Sequence, residues 1–289
     1  ARAPGFFFFY MPELHCGRFR LSLDRPLIMG IVNLTPDSFS GDGMGSDVGR
    51  AIRHARHQLD SGADILDIGA ESSRPGAIPT SEDDELRRLI PVLREMVGWR
   101  VPVSVDTYKP SVMRVALAEG ASMINDISAL RHPGALATVA PSDCAVCLMH
   151  MQGQPGTMQN APDYGDVVRE VREFLATRVT AARAAGIDGC RLVLDPGFGF
   201  GKSLEHNLAL FRALTATGVD GLPMLVGVSR KSVLGAITGR PVEQRLAANI
   251  AAVTLAALKG AKILRVHDVA ETRDALAVLA AIEEGVGNE

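Results

Sequence analysis

Eight short apolar runs, each followed by a polar or glycine-rich break and then a segment of helical period, constrain the fold of this chain more than any other feature. They are PLIMGIV (26–32), ADILDIG (63–69), VPVSVD (101–106), ASMIND (121–126), CAVCLMH (144–150), CRLVLD (190–195), LPMLVGV (222–228) and AKILRVH (261–267). Near-continuous hydrophobicity over so few residues marks strands buried on both faces, as in a parallel sheet covered by helices. Between them, Val48, Ala51, Ile52, Ala55 and Leu59 recur at helical spacing, as do Leu86, Leu89, Ile90, Leu93 and Val97. Ser81 with Asp84 suits a capped helix start, Pro110 a first helical turn, and Gly120, Gly186 and Gly218 helix ends. Eight βα units predict an α/β fold, a single-domain (β/α)8 barrel with its active site at the C-terminal ends of the strands. A doubly wound sheet stays open at this level, because strand order is not visible in the sequence.

The 289 residues suit one such domain, expected over 21–289 and preceded by an N-terminal extension at 1–20 that carries the aromatic cluster Phe6–Tyr10. A formal net charge of -3 gives no basic footprint for nucleic acid. The longest apolar run, Leu246 to Leu258, is too short to cross a bilayer and reads as a buried helix, so no membrane partner is expected. The aromatic cluster lacks a cleavage-site pattern, so no export is implied. Four irregularly spaced cysteines, at 16, 144, 147 and 190, do not form a disulfide framework and fit a reducing, cytoplasmic setting. Cys144 and Cys147 form a C-x-x-C, but three residues apart on a strand they point to opposite faces and would chelate poorly. His54 and His57 are read as solvated helix residues, and Trp99 as a packing residue.

A barrel delivers its strand ends to one mouth. Those ends are Asn33, Glu71 to Gly76, Asp106, Asn125 with Asp126, His150, Asp195, Ser229 to Lys231, and Arg265, His267 and Asp268. So many polar groups at one mouth imply a ligand rich in donors and acceptors, since each left unpaired would cost several kcal/mol. Arg74, Arg265 and His267 suit phosphate oxygens. Asp106, Asp195 and Asn125 suit the N–H edge of a flat nitrogen heterocycle, so the set points to a heterocycle carrying phosphate. The loop DPGFGFGKS after strand six is not a nucleotide-phosphate motif, because Pro196 stands where the first glycine is required. Its glycines instead let the backbone bend close to a ligand, with Phe198 and Phe200 as walls.

From about residue 27 to 285 the chain resembles the dihydropteroate synthase family. The resemblance is carried, in order, by IMGIVNLTPDSFS (28–40), DIGAESSRPGA (67–77), SVDTYKP (104–110), INDIS (124–128), LMHMQGQPGTMQ (148–159), LDPGFGFGKSLEHN (194–207), VGVSRKSVLG (226–235) and LRVHD (264–268). It implies a transferase of folate biosynthesis that joins 6-hydroxymethyl-7,8-dihydropterin pyrophosphate to p-aminobenzoate, releasing pyrophosphate, with Mg2+ as cofactor and a homodimer as assembly. On this likeness Asp106, Asn125, Asp195 and Lys231 hold the pterin and Asn33 ligates Mg2+. Ser73, Arg74, Arg265 and His267 meet the pyrophosphate, and Val266 is a further substrate-binding residue. Phe39, Pro75, Ser229 and the Lys231 stem shape the p-aminobenzoate pocket, where sulfonamides bind in this family, and Phe200 is a further substrate-binding residue. Asp106, Lys231, Arg265 and His267 are the expected catalytic set.

Two departures from the family pattern stand out. Ser73 replaces the usual threonine, and the first loop reads SFSGDGMG rather than SFSDGG, which displaces Asp42 by one position and leaves it without a role. Three alternatives make different demands on these segments. A methyltetrahydrofolate-dependent methyltransferase should lack the SRPG and SRK segments. An inactive pterin-binding paralogue should have lost Lys231, Arg265 or His267. A phosphate-sugar isomerase or aldolase on the same barrel would not need the heterocycle-binding Asp/Asn set.

Overall fold

Inward and outward residues alternate along every long strand, and this alternation builds two apolar layers with a polar mouth at one end. The computed structural model describes residues 13–35, 44–72 and 76–284. Its barrel strands are β3 (Leu27–Asn33), β4 (Ile65–Gly69), β5 (Val103–Asp106), β6 (Met123–Asp126), β7 (Ala145–Met149), β8 (Leu192–Asp195), β9 (Leu225–Val226) and β10 (Ile263–Val266). All eight expected strands are present and parallel, in the order β8-β7-β6-β5-β4-β3-β10-β9. The ring closes where Leu194 bridges Met224 in parallel and its N–H donates to Pro223 O at 2.9 Å. This closure excludes the doubly wound sheet.

The inner face carries Leu27, Met29, Ile65, Met123, Cys147, Val193, Leu225 and Ile263 in one buried cluster. The outer face, with Ile28, Leu66, Val105, Ile124, Leu194 and Leu264, packs in a second cluster against the helices. Those helices are α1 (Met44–Asp60), α2 (Glu82–Met96), α3 (Pro110–Ala118), α4 (Ala135–Val139), α5 (Val167–Ala184), α6 (Leu204–Arg212), α7 (Ser232–Thr238), α8 (Leu246–Leu258) and α9 (Val269–Glu284). Ser81 caps α2 by accepting from Asp84 N, and Pro110 opens α3, as their positions foretell. Cys147 faces the barrel interior and Cys144 the outer layer, both as free thiols, so the C-x-x-C is structural.

Order begins before residue 21. β1 (Glu13–Cys16) and β2 (Phe19–Ser22) form an antiparallel hairpin, with Leu14 opposite Leu21, turning at Gly17 where φ is +58°. Leu14, Cys16 and Leu23 join the inner cluster, and Gly17 N donates to Asp143 O just before β7, so the hairpin plugs the N-terminal end of the barrel. The boundary expected at residue 20 therefore falls inside β2.

Two further readings change, those of α8 and His54, and that of Trp99 holds. α8 spans the apolar run as expected but buries only one side: Leu255 is 50% exposed and Leu258 52%. His54 is half-buried with Nε2 3.2 Å from Ile31 O, while His57 is exposed. Trp99 is buried under the Arg56 guanidinium, as a packing residue. No helix among the described residues is long and apolar enough to cross a membrane.

Candidate active site

At the C-terminal mouth the inward positions change from apolar to charged, one layer above Met29, Ile65 and Ile263. On β10 this layer presents Arg265, whose guanidinium is forked between two carboxylates. Its Nε donates to Asp67 Oδ2 at 2.6 Å and its Nη2 to Asp106 Oδ2 at 2.9 Å. Gly69 makes room for Asp106: a Cβ there would lie 3.2 Å from Asp106 Cβ. Burial works against the charge on Arg265, but Asp67 and Asp106 outweigh it and hold the guanidinium above its usual range. Asp106 is pushed up to about 7, chiefly by burial and further by Asp67, Glu85 and Asp126, against the pull of Arg265. Asn125, its register partner on β6, donates from Nδ2 to Asp67 Oδ2 at 3.4 Å.

On the other side of the mouth stand Asp195 and Lys231. Asp195 ends β8 and accepts from Gly197 N at 2.7 Å. Burial raises its pKa, opposed by the Lys231 charge and that N–H bond. Lys231 precedes α7, donates to Phe198 O at 2.6 Å and lies 4.6 Å from the Phe200 ring centroid. Burial lowers it to about 8, with Arg265 in the same direction and Asp195 and Asp106 opposing. Ser229 Oγ accepts from His267 N at 3.2 Å and lies 3.0 Å from His267 Nδ1, which fixes the imidazole over the β9 and β10 ends. A buried apolar patch of Ile127, Met149, Met151 and Met158, joined by Tyr108 and Phe200, walls this side apart from both cores.

The loop after β8 is stapled from within. Lys202, 3% exposed, donates from Nζ to Gly197 O (2.9 Å) and Phe200 O (3.0 Å) and sits 2.8 Å from His150 Nδ1. Burial drives Lys202 well below its ordinary pKa and His150 down to about 2, so His150 is neutral and its Nδ1 accepts from Lys202 Nζ. The lysine of GKS thus serves its own loop. Gly197 must be glycine: its φ is +70° and a Cβ there would lie 1.9 Å from His150 O.

Asp106, Asn125, Asp195, Phe200, Ser229, Lys231, Arg265 and His267 are brought together at one mouth, with half-buried Asn33 at the end of β3. Val266 is a correction: alternation turns its side chain into the outer apolar layer, away from the mouth. Asp126 also turns away, its oxygens accepting from Ser128 N and Leu130 N to hold its own loop. Phe39, Asp42, Ser73, Arg74 and Pro75 lie outside the described residues. Asp67, the methionine wall and Lys202 escaped the sequence reading, although period-two alternation back from Gly69 could have flagged Asp67. A second buried charge cluster, Lys109 with Glu71 and Glu85, ties the loop after β4 to β5 and α2. At the opposite end of the barrel, a depression of about 470 Å³ is lined by the Arg25–Asp64 ion pair, Arg20 and Asp24 and lacks this convergence.

The family described as pterin binding enzyme matches residues 29–267. A dihydropteroate synthase of Neisseria meningitidis serogroup B is 50% identical over 273 residues, covering 92% of this chain and 96% of that one. The Xanthomonas albilineans dihydropteroate synthase solved with 4-aminobenzoic acid superposes with a TM-score of 0.90 at 52% identity, over 95% of this chain and 99% of that one. The Burkholderia cenocepacia dihydropteroate synthase complexed with 7,8-dihydropteroate gives 0.87 at 50% identity, over 94% and 96%.

Proposed function

The chain belongs to the pterin binding enzyme family, among the dihydropteroate synthases, and from that premise we infer that its barrel mouth joins 6-hydroxymethyl-7,8-dihydropterin pyrophosphate to p-aminobenzoate. It is a transferase of folate biosynthesis. The observation that carries this reading is the division of the mouth. Asp195, Asn125 and Lys231 stand beside a methionine and phenylalanine wall on one side, and Arg265 is forked between carboxylates on the other. Adjacent N–H groups of an aminopyrimidinone match the two oxygens of Asp195, Lys231 donates to ring acceptors, and the apolar wall takes the ring face. Arg265 and His267 lie where a pyrophosphate on the pterin methylene would emerge, and Ser229 orients His267 toward it.

The chemistry is substitution at carbon. The C–O bond to pyrophosphate breaks with its electron pair on the leaving oxygen, neutralised by Arg265 and His267. The resulting methylene cation is spread over the pterin ring and faced by the Asp106 carboxylate. The p-aminobenzoate nitrogen then gives its lone pair to that carbon and releases a proton. No protein nucleophile takes part.

Mg2+ fits the donors present. Asn33 offers a hard amide oxygen at the mouth, and a magnesium ion takes few protein ligands when phosphate oxygens and waters complete its shell. Among the described residues no group of three His, Cys, Asp or Glu competes to hold a metal. Bound there, Mg2+ would lower the charge on the leaving pyrophosphate. Phe39, Ser73, Arg74 and Pro75 are assigned to the p-aminobenzoate and pyrophosphate contacts by family likeness. A homodimer is supported by the exposed apolar side chains of packed α8 and α9, Leu255, Leu258, Val278 and Ile282. A cytoplasmic setting agrees with four free cysteines.

Calorimetry with the dihydropterin pyrophosphate tests the assignment. Asp195→Asn should weaken binding about tenfold to a hundredfold, the range for truncating a charged hydrogen bond. Unchanged affinity would overturn the pterin orientation.

A further inference from the structure

Asp67 has no part in the mechanism above, yet it is the most deeply buried charge at the mouth. Its side chain is 0% exposed, against 17% for Asp106 and 19% for Arg265. It stands on β4 between Ile31 of β3 and Ser104 of β5, so both neighbouring strands shield it. A ligand entering the mouth reaches Asp106 but not Asp67. Arg265 touches both through different edges of its planar fork, with Nε on Asp67 and Nη2 on Asp106. Asp67 Oδ2 also accepts from Asn125, whereas Oδ1 is buried without a hydrogen-bond partner.

Burying a carboxylate so incompletely satisfied is costly, and a barrel strand could carry an apolar residue there instead. What the carboxylate secures is the direction of Arg265. With Asp106 as sole partner, the guanidinium would swing free whenever substrate engaged Asp106.

We propose that Asp67 is a positioning residue, a fixed anchor that keeps Nε of Arg265 in place while the Nη2 arm leaves Asp106 for the departing pyrophosphate. This rests on the function inferred above. Asp67 also aligns Asn125, so the pterin and pyrophosphate sides share one immobile carboxylate.

The test is Asp67→Asn, which keeps the shape and removes the charge. Positioning predicts that kcat falls about tenfold or more through loss of alignment. Affinity for inorganic pyrophosphate should not weaken, since losing a negative charge favours an anion. The acid limb of kcat/KM should move to lower pH. Asp106 feels the charges of Arg265, Asp67, Glu85, Asp126 and Lys231, with the Cys147 thiol also within electrostatic reach, and the substitution removes one of its repelling charges. A merely structural role would instead weaken pyrophosphate binding and thermal stability together. A kcat within twofold of wild type, or an unmoved limb, overturns the proposal. Wild-type turnover in the same assay separates this from failure of the functional reading.

Should the variant not fold, the wild-type protein still decides. The Arg265 Nε–H resonance, assigned by its loss in Arg265→Lys, should hold its position as inorganic pyrophosphate is titrated while the Nη protons shift. Movement of Nε–H together with Nη overturns the anchor.

Discussion

Replacing Lys202 by methionine removes one ammonium group and keeps nearly the same volume, which makes it a clean probe of the loop after β8. In the native protein three donors of Nζ meet Gly197 O, Phe200 O and His150 Nδ1, all at 3.0 Å or less. Methionine offers none of these donors. Each buried carbonyl left without a partner costs about 1–3 kcal/mol, so the two carbonyls alone give about 2–6 kcal/mol gross. Removing a buried charge recovers part of this, because desolvation disfavours the ammonium. The loop can also open to water, which caps the global cost at its own opening free energy. A net loss of about 1–3 kcal/mol in urea unfolding is expected. Binding should suffer more than folding. The same loop carries Phe200 and the Phe198 carbonyl that holds Lys231, so opening it removes the wall and frees the lysine. Calorimetry with a pterin ligand should show affinity falling at least about tenfold, worth about 1.4 kcal/mol. Stability and affinity both at wild-type values would refute the staple.

The kcat/KM profile should be bell-shaped, falling below about pH 7 as Asp106 takes a proton and above about pH 8 as Lys231 loses one; a flat profile from 6 to 9 contradicts both assignments. Gly197→Ala should cost at least about 2 kcal/mol in urea unfolding and abolish pterin binding, since its Cβ would meet His150 O at 1.9 Å in a left-handed backbone. Leu255→Arg combined with Leu258→Arg should convert a dimer to a monomer in light scattering; a monomeric wild-type protein would remove the basis for that face.

The barrel was legible because parallel strands buried on both faces write themselves as unbroken apolar runs, and all eight appear. The N-terminal hairpin was legible too, had alternation been followed from Leu14 and Cys16 across Gly17 to Phe19 and Leu21. Alternation also separates neighbours that look alike in the sequence. Asn125 enters the mouth and Asp126 leaves it, and Val266 turns outward between Arg265 and His267. Asp67 follows the same rule, two positions before Gly69. Lys202 follows no such rule. Its partners are backbone carbonyls and a distant histidine, positions that only the folded loop brings together. The exposed side of α8 was equally hidden, because an all-apolar helix does not say which side it leaves uncovered.

On the function inferred above, this mouth exchanges pyrophosphate for an arylamine at a pterin methylene. Purified protein supplied with 6-hydroxymethyl-7,8-dihydropterin pyrophosphate, Mg2+ and ring-labelled p-aminobenzoate should yield labelled 7,8-dihydropteroate and one equivalent of pyrophosphate. The Arg265→Ala variant should fall about a thousandfold below that rate, as for loss of a group that stabilises developing charge. Folded wild-type protein that binds the pterin yet forms no labelled product would contradict that exchange.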